Sequence, residues 1–320
     1  QWSSSAASDV YKRQGITNMK SIRWIKKDLK VNFLNIKNIA TIISIVALIM
    51  SIFFIFFKNL NFGIDFKGGT LIEIKKDRDL TISSIRSQLS DLGLGDIQIQ
   101  TFGSADVVLI RIENSSDLIS NADMNSINTI KTNLESKIEI QRTEIVGPKV
   151  SSELVEKGLI AIIAAVILML FYIWVRFEWQ FSIGAVIALI HDIIITIGIF
   201  SFFQIEFNLS IIAALLTIIG YSMNDTVVVY DRIRENLRKY KSLEIYQLIN
   251  QSLNETMSRT VLTSFTTLLA LFSLYFLGGE VLKGFTLAMI IGVFIGTYSS
   301  IFIASQIILY LNVKRDWSKN

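Results

Sequence analysis

Residues 211–236 read IIAALLTIIGYSMNDTVVVYDRIREN. The run is apolar on both sides of a short polar insert, Tyr221-Ser222-Met223-Asn224-Asp225-Thr226. A bilayer core of about 30 Å takes roughly 20 apolar helical residues to cross. A charged side chain inside such a run is costly and is by default a functional candidate. Residues 209–230 therefore read as a membrane-spanning helix with Asp225 roughly 8 Å from its Tyr230 end, at about 1.5 Å per residue. Tyr221 and Ser222 share a helical face with Asp225, and Gly220 offers room for a neighbouring helix.

Five more segments fit the same length rule: residues 39–57, 159–175, 181–203, 261–277 and 285–311. None contains proline, so bends must come from glycine or from packing. The composition agrees: 51% of the 320 residues are hydrophobic and 18% charged, against about 25% charged in soluble domains. The chain has no cysteine and one histidine, which excludes disulfides, a cysteine nucleophile and multi-histidine metal sites. Neither a metal nor a cofactor is expected. The 31 Lys and Arg residues are not gathered into one patch, so nucleic acid is not an expected partner, whereas the lipid bilayer is. Basic residues cluster before the first span, between the fourth and fifth, and after the sixth, which predicts that both termini are cytoplasmic.

The long loop 58–157 reads as one small domain with a re-entry linker. Residues 70–75 alternate like a strand, 81–92 have helical spacing, and 97–101 and 107–112 form a strand pair around Gly103-Ser104. Residues 125–138 read as a second helix and 139–146 as a last strand. The order β-α-β-β-α-β is the ferredoxin-like pattern. Residues 1–18 fit neither a signal peptide nor a domain; they are expected to be an artefactual leader, with Met19 a plausible start. The expected division is then a cytoplasmic segment 19–38, a first span 39–57, the outer domain 58–157, spans two to six over 158–311 and a tail 312–320. The expected fold is an α-helical polytopic membrane protein of six transmembrane helices with one small α+β ferredoxin-like domain.

Two spans carry ionisable groups. Asp225 lies in the fourth, and His191-Asp192 near the middle of the third. Burial and a neighbouring cation act on a carboxyl in opposite senses, and their balance suits loading and release of a proton. The candidate cation is Arg259 at the start of the fifth span, in the same leaflet as Asp225, with Thr263 one turn on. The plainer readings stay open beside these. Arg259 also fits a membrane-surface anchor, Asp225 a helix-packing polar residue, His191 a satisfied core histidine, and Gly292/Gly296 ordinary close packing.

Several blocks together resemble the SecD/SecF family. Gly63-Ile64-Asp65-Phe66-Lys67-Gly68-Gly69 is similar to the signature after that family's first span. Gly147-Pro148, Arg176-Phe177-Glu178-Trp179, His191-Asp192, residues 220–236, Arg259-Thr260 and Gly278-Gly279 follow in the family's order. Ser151 departs from the family pattern, which usually has glycine there. The resemblance implies half of an RND-superfamily transporter in the bacterial inner membrane, paired with a SecD-like subunit beside the SecYEG translocon. It further implies use of the proton-motive force to promote movement of a translocating polypeptide, with sodium left open as the coupling ion. It assigns Asp225, Arg259 and Thr263 to proton relay, with Ser222 and Asn224 beside them and His191 and Asp192 as a secondary relay. No nucleotide loop is present, because Gly63, Gly68 and Gly69 lack the Gly-Lys-Ser/Thr ending, and no enzyme is expected. An RND-type exporter of small molecules or lipids and a non-conducting translocon scaffold are the alternatives.

The topology is directly testable, since the chain contains no native cysteine. Ser116→Cys should react with a membrane-impermeant thiol reagent applied from outside the cell. Lys239→Cys should react only after the membrane is opened; labelling of Lys239→Cys from outside would reverse the assignment.

Overall fold

The computed structural model describes residues 31–77, 79–90, 97–112, 130, 132, 138–311 and 313. Helix α1 (Lys37–Phe57) follows a 3-10 turn at Phe33–Ile36 and leads to the short helix α2 (Ile64–Lys67). A small domain follows: β1 (Gly69–Lys76), α3 (Ile82–Ser90), β2 (Ile97–Phe102), β3 (Ser104–Ile112) and β4 (Ile138–Val146). The chain then returns through α4 (Pro148–Arg176), α5 (Trp179–Phe203), α6 (Leu209–Lys239), α7 (Ile245–Leu277) and α8 (Glu280–Ser299). A π-helical turn at Ser300–Ala304 joins α8 to α9 (Ser305–Tyr310). Six of these helical stretches are long and apolar enough to cross a membrane, as the sequence predicts.

The sheet is antiparallel with strand order β2-β3-β1-β4. β3 lies between β1 and β2, so α3 crosses over it, which makes the split β-α-β of the ferredoxin-like pattern. Alternation sets the two faces. Ile72, Ile74, Val108, Ile110 and Ile112 turn to one side and pack with Ile85 and Leu89 of α3 and with Ile130. The expected helix over 125–138 falls largely outside the described residues, and its last residue, Ile138, opens β4. The expected leader 1–18 and the tail beyond 313 also lie outside them.

Two helix starts differ from the hydropathy reading. α4 begins at Pro148, inside the stretch expected to be a linker, because proline suits the first turn of a helix. α7 begins at Ile245 rather than near residue 261. Its polar first turns are held by side-chain bonds instead of lipid: Asn236 donates to Ser252 at 2.9 Å and to Glu255 at 2.7 Å, and Arg232 donates to Glu255 at 2.6 Å. Hydropathy locates the part of a helix that lies in lipid, not the end of the helix. For the same reason α6 runs on past Tyr230 to Lys239.

Within the bundle, 56%, 50% and 56% of the spans containing α5, α6 and α8 are buried, against 17%, 11% and 17% for α1, α4 and α7. The first three are therefore the centre, and the others present their isoleucines and phenylalanines outward. Gly292 and Gly296 serve this internal packing: a Cβ would come within 2.3 Å of Ile218 on the first and 3.0 Å of Ser222 on the second. Gly184 likewise admits the Tyr230 hydroxyl, 2.5 Å from where a Cβ would stand. These three positions are spent inside the chain. Gly220 has nothing within 4 Å of a Cβ, so none of the described helices uses the room it offers.

The glycine signature ties the small domain to the bundle. Residues 61–63 lie along the α5–α6 connection, with Phe207 N–H donating to the Asn61 carbonyl at 2.8 Å and Gly63 N–H to the Phe207 carbonyl at 2.9 Å. Phe62, Phe66 and Phe207 pack ring to ring. Gly68 and Gly69 take φ of 77° and 127°, a left-handed path that only glycine follows without strain. Asp65 accepts the Leu209 N–H at 2.8 Å, so it caps the N-terminus of α6 from a distance in sequence. Above it, Arg111 of β3, almost fully buried, pairs with Glu206 at 2.7 Å. Ser151, the departure from the family pattern, is buried and donates to the Ile64 carbonyl at 3.3 Å, which fixes the start of α4 on α2.

An N-terminal carboxylate cap contributes about 1 kcal/mol. In Asp65→Ala, hydrogen exchange at residues 209–211 should rise roughly fivefold, the equivalent of about 1 kcal/mol, while residues 218–223 should keep their protection. Asp65→Asn, which keeps an acceptor, should fall in between. Unchanged exchange in the alanine variant would mean that the cap carries no stability.

Candidate functional site

The centre of the bundle is polar. Asp192 of α5 is 1% exposed. One of its oxygens accepts from Ser222 of α6 at 2.6 Å and from Ser299 of α8 at 2.7 Å. Its other oxygen shares a hydrogen bond with His191 Nδ1 at 2.9 Å. One carboxyl group thus joins the three central helices. Ser300 continues the seam to Thr226 of α6 at 2.9 Å. Ser299 and Ser300 stand at the start of the π-helical turn, a feature frequent at functional sites. Tyr230 steadies that turn by donating to the Ala304 carbonyl at 3.2 Å.

Asp225 lies one turn along α6 from Ser222 and is 3% exposed. Its Oδ2 has no hydrogen-bond partner. The groups that act on this carboxyl are Ser264 and Arg259 of α7. Ser264 in turn bonds Thr297 of α8 at 2.7 Å and receives the Tyr221 hydroxyl at 3.4 Å. Thr260, beside Arg259, is buried with its hydroxyl unpartnered. Asp225 and Arg259 each stand about 21 Å along their helices from the α6–α7 turn, at 1.5 Å per residue, so antiparallel packing sets them at one level. Arg259 is exposed to a vestibule of about 980 Å³ that also reaches Arg238 and Lys239 at that end of the bundle.

The sequence expectations map onto this unevenly. Asp225, Arg259, Ser222, His191 and Asp192 come together in one region. Ser222 bonds Asp192 rather than Asp225, so Asp192 is the hub of the network and not an accessory to it. Arg259 and Asp225 form no ion pair among the described residues; the guanidinium acts on the carboxyl from the vestibule. Thr263 does not join: its hydroxyl donates to the Arg259 and Thr260 carbonyls of its own helix at 3.0 and 2.9 Å. Asn224 does not join either, because it is exposed on the outer side of α6 in a groove with Gly220, Leu168 and Tyr172. A residue adjacent to Asp225 in sequence points about 100° away from it on a helix. The signature residues Gly63, Asp65, Gly68, Gly69, Gly147 and Pro148 lie at the opposite end of the bundle, where Gly63 and Asp65 bond the α5–α6 connection and Gly147 and Pro148 begin α4. The sequence reading missed Ser299, Ser300, Thr226, Ser264 and Thr297. The available signal was paired hydroxyl residues inside apolar spans, which seek partners on neighbouring helices.

Comparison with known proteins fits this geometry. The family model described as the C-terminal part of the protein export membrane proteins SecD/SecF matches residues 126–314, and the SecD/SecF GG motif matches residues 53–75. The chain belongs to the SecD/SecF family. Relatives named protein translocase subunit SecF include that of Rhodobacter capsulatus, 45% identical over 274 residues, covering 81% of this chain and 82% of the relative. That of Vibrio alginolyticus is 46% identical over 260 residues, covering 81% and 82%. The crystal structure of SecDF from Thermus thermophilus, titled a translocon-associated membrane protein, superposes with a TM-score of 0.82 at 34% identity. A second structure, SecDF in a super-membrane-facing form, gives 0.67 at the same identity. In both cases 90% of this chain covers 39% of the SecDF chain. The GG motif of the family falls where this chain docks its small domain, and the C-terminal family segment contains the whole polar seam.

The network predicts unequal costs of truncation. A buried polar group left without a partner costs about 1–3 kcal/mol. Asp192→Ala strands His191 Nδ1 and Ser222, leaves Ser299 only the Gly296 carbonyl at 3.1 Å, and should lower the thermal midpoint in detergent well beyond Thr263→Ala, whose hydroxyl serves only its own helix. Equal midpoints for the two variants would remove Asp192 from the centre of the bundle.

Proposed function

We propose that this chain is a SecF-type subunit of a protein-export complex in the bacterial inner membrane, with both termini cytoplasmic and the small domain outside. It works with a SecD-like subunit beside a SecYEG-type channel, and an ion gradient, protons in the first instance, drives it to promote movement of a translocating polypeptide. Family membership and the names of the relatives support the export role. The match to a SecDF structure, of which this chain covers 39%, supports work alongside a SecD-like part. The groove of about 470 Å³ beside Gly220 and Asn224 leaves room for a partner helix to approach at the glycine. The same identity and coverage with two TM-scores, 0.82 and 0.67, fits a fold that takes more than one arrangement.

The observation that carries the ion-coupled reading is Asp225. A carboxyl 3% exposed with one oxygen unpartnered is costly as an isolated charge in the membrane. A proton or a cation that reaches it removes that cost, and the vestibule at Arg259 gives the route from one side. Each unit charge carried across the membrane field contributes about 2.3 kcal/mol per 100 mV. A few kcal/mol strongly biases a balanced two-state equilibrium. Gly63, Asp65 and Glu206 connect the outer end of α6 to the small domain, so a shift of α6 reaches that domain through direct bonds.

The test is gradient-dependent completion of export in membrane vesicles. Asp225→Asn keeps shape and hydrogen bonding but cannot titrate; it should assemble and expose the domain normally yet lose stimulation by the gradient. Asp225→Glu should retain part of it, and Arg259→Lys should be impaired because lysine lacks the planar fork. Stimulation by a sodium gradient in place of protons would identify sodium as the coupling ion. Wild-type gradient dependence in Asp225→Asn would leave the scaffold reading, and drug sensitivity without a secretion defect on deletion would favour the small-molecule exporter.

A further inference from the structure

The vestibule that reaches Arg259 has a rim that the ion route does not need. Six basic and three acidic side chains line the cavity. Two of the acids are taken by Arg232, which bonds Glu235 at 2.5 Å and Glu255 at 2.6 Å. The third, Asp231, meets Arg176 only at 3.5 Å, with both side chains about half exposed. The remaining positive charge gathers where α4 ends. The guanidinium carbons of Arg176 and Arg234 stand 5.3 and 5.7 Å from the Phe177 ring, and Arg234 donates to the Arg176 carbonyl at 3.3 Å. Arg238 follows Arg234 by one helical turn, within electrostatic reach of it. Asp231 and Glu178 are the acidic neighbours of this group, so three guanidinium groups face two carboxylates.

The depth of the rim is marked by aromatics. Tyr172 and Trp174 just before Arg176, and Trp179 just after it, are exposed on the outside of the bundle. Such residues settle at the headgroup level of a bilayer. Leu168, Phe171 and Val175 form an exposed apolar strip along one face of α4, running from beside Arg176 toward the middle of the helix. A basic pocket between membrane helices at this level takes phospholipid headgroups, and the arginine fork matches the oxygens of a phosphate. We propose that Arg176, Arg234 and Arg238 bind the phosphate of an anionic phospholipid headgroup, with the acyl chains lying along Leu168, Phe171 and Val175.

The experiment uses the full chain, extracted with whatever subunit co-purifies and exchanged into mixed micelles containing phosphatidylglycerol or phosphatidylcholine. Native mass spectrometry reads the retained lipid. The wild type should retain phosphatidylglycerol over phosphatidylcholine. Arg176→Gln and Arg234→Gln should each reduce that preference by roughly fivefold, the effect of one basic residue near an anionic surface. The pair Arg176→Lys and Arg234→Lys, which keeps the charge, should lose less, and Lys58→Gln at the other end of the bundle should change nothing. Phosphatidylglycerol retention unaltered by the glutamine variants would overturn the site. Displacement by inorganic phosphate without any preference between the two lipids would make it a soluble-anion site instead. Shielding of Arg176 and Arg234 from an arginine-directed dicarbonyl by the co-purified subunit, with no lipid retained, would assign the rim to a protein contact.

Discussion

The Asp192 carboxyl is the point on which the bundle turns. Its bonds to Ser222 and Ser299 link α5, α6 and α8, the three helices with the largest buried share. Apolar packing gives little preference among helices in lipid, since the tails are as apolar as leucine. A carboxylate with hydroxyl donors on two other helices fixes which faces meet and at what height. Gly292 and Gly296 then set how closely α8 approaches α6, and the π-helical turn presents Ser299 and Ser300 in succession to the seam.

From this seam the two ends of α6 lead to different tasks. At its N-terminus the helix is held by Asp65, and the loop before it is paired through Glu206 to Arg111 of the sheet. Toward its other end it carries Asp225 past Ser264 and Arg259, then opens into the basic vestibule. One continuous helix therefore spans the buried carboxyl and the mount of the small domain. The two carboxyls differ in kind. Asp192 is fully engaged by donors and serves as structure, whereas Asp225 retains an unpartnered oxygen. A carboxyl bonded from two other helices ties those helices together; in the proposed function, the one short of a partner is where a proton or cation acts.

Much of this was legible in the residues. Periodicity and length were enough for six spans and for the four strands with the helix between the first two, because each rests on local burial patterns. Asp225, Asp192 and Arg259 stood out because charges in apolar runs are costly wherever they occur. The roles within that set were not legible. Ser222 lies on the face of Asp225 by spacing, yet it bonds Asp192, because a helix face is shared by every neighbour that packs on it. Thr263 satisfies its own backbone, an option open to any helical threonine. Hydropathy also placed the starts of α4 and α7 too late, since polar turns outside the lipid remain helical once side chains from another element bond them.

By itself, the sequence determined which segments are apolar enough to span a membrane, the class of the small domain and which ionisable residues are buried with the spans, since these depend on transfer energies and on neighbours a few positions apart. Tertiary structure alone decided which carboxyl is the hub, that the glycine signature caps α6 and docks the domain, and that Asn224 faces outward. Those outcomes depend on contacts between residues as distant as Asp65 and Leu209, or Asp192 and Ser299. No local pattern encodes them, because a hydroxyl or a carboxylate bonds whichever partner the packing of whole helices brings within about 3 Å.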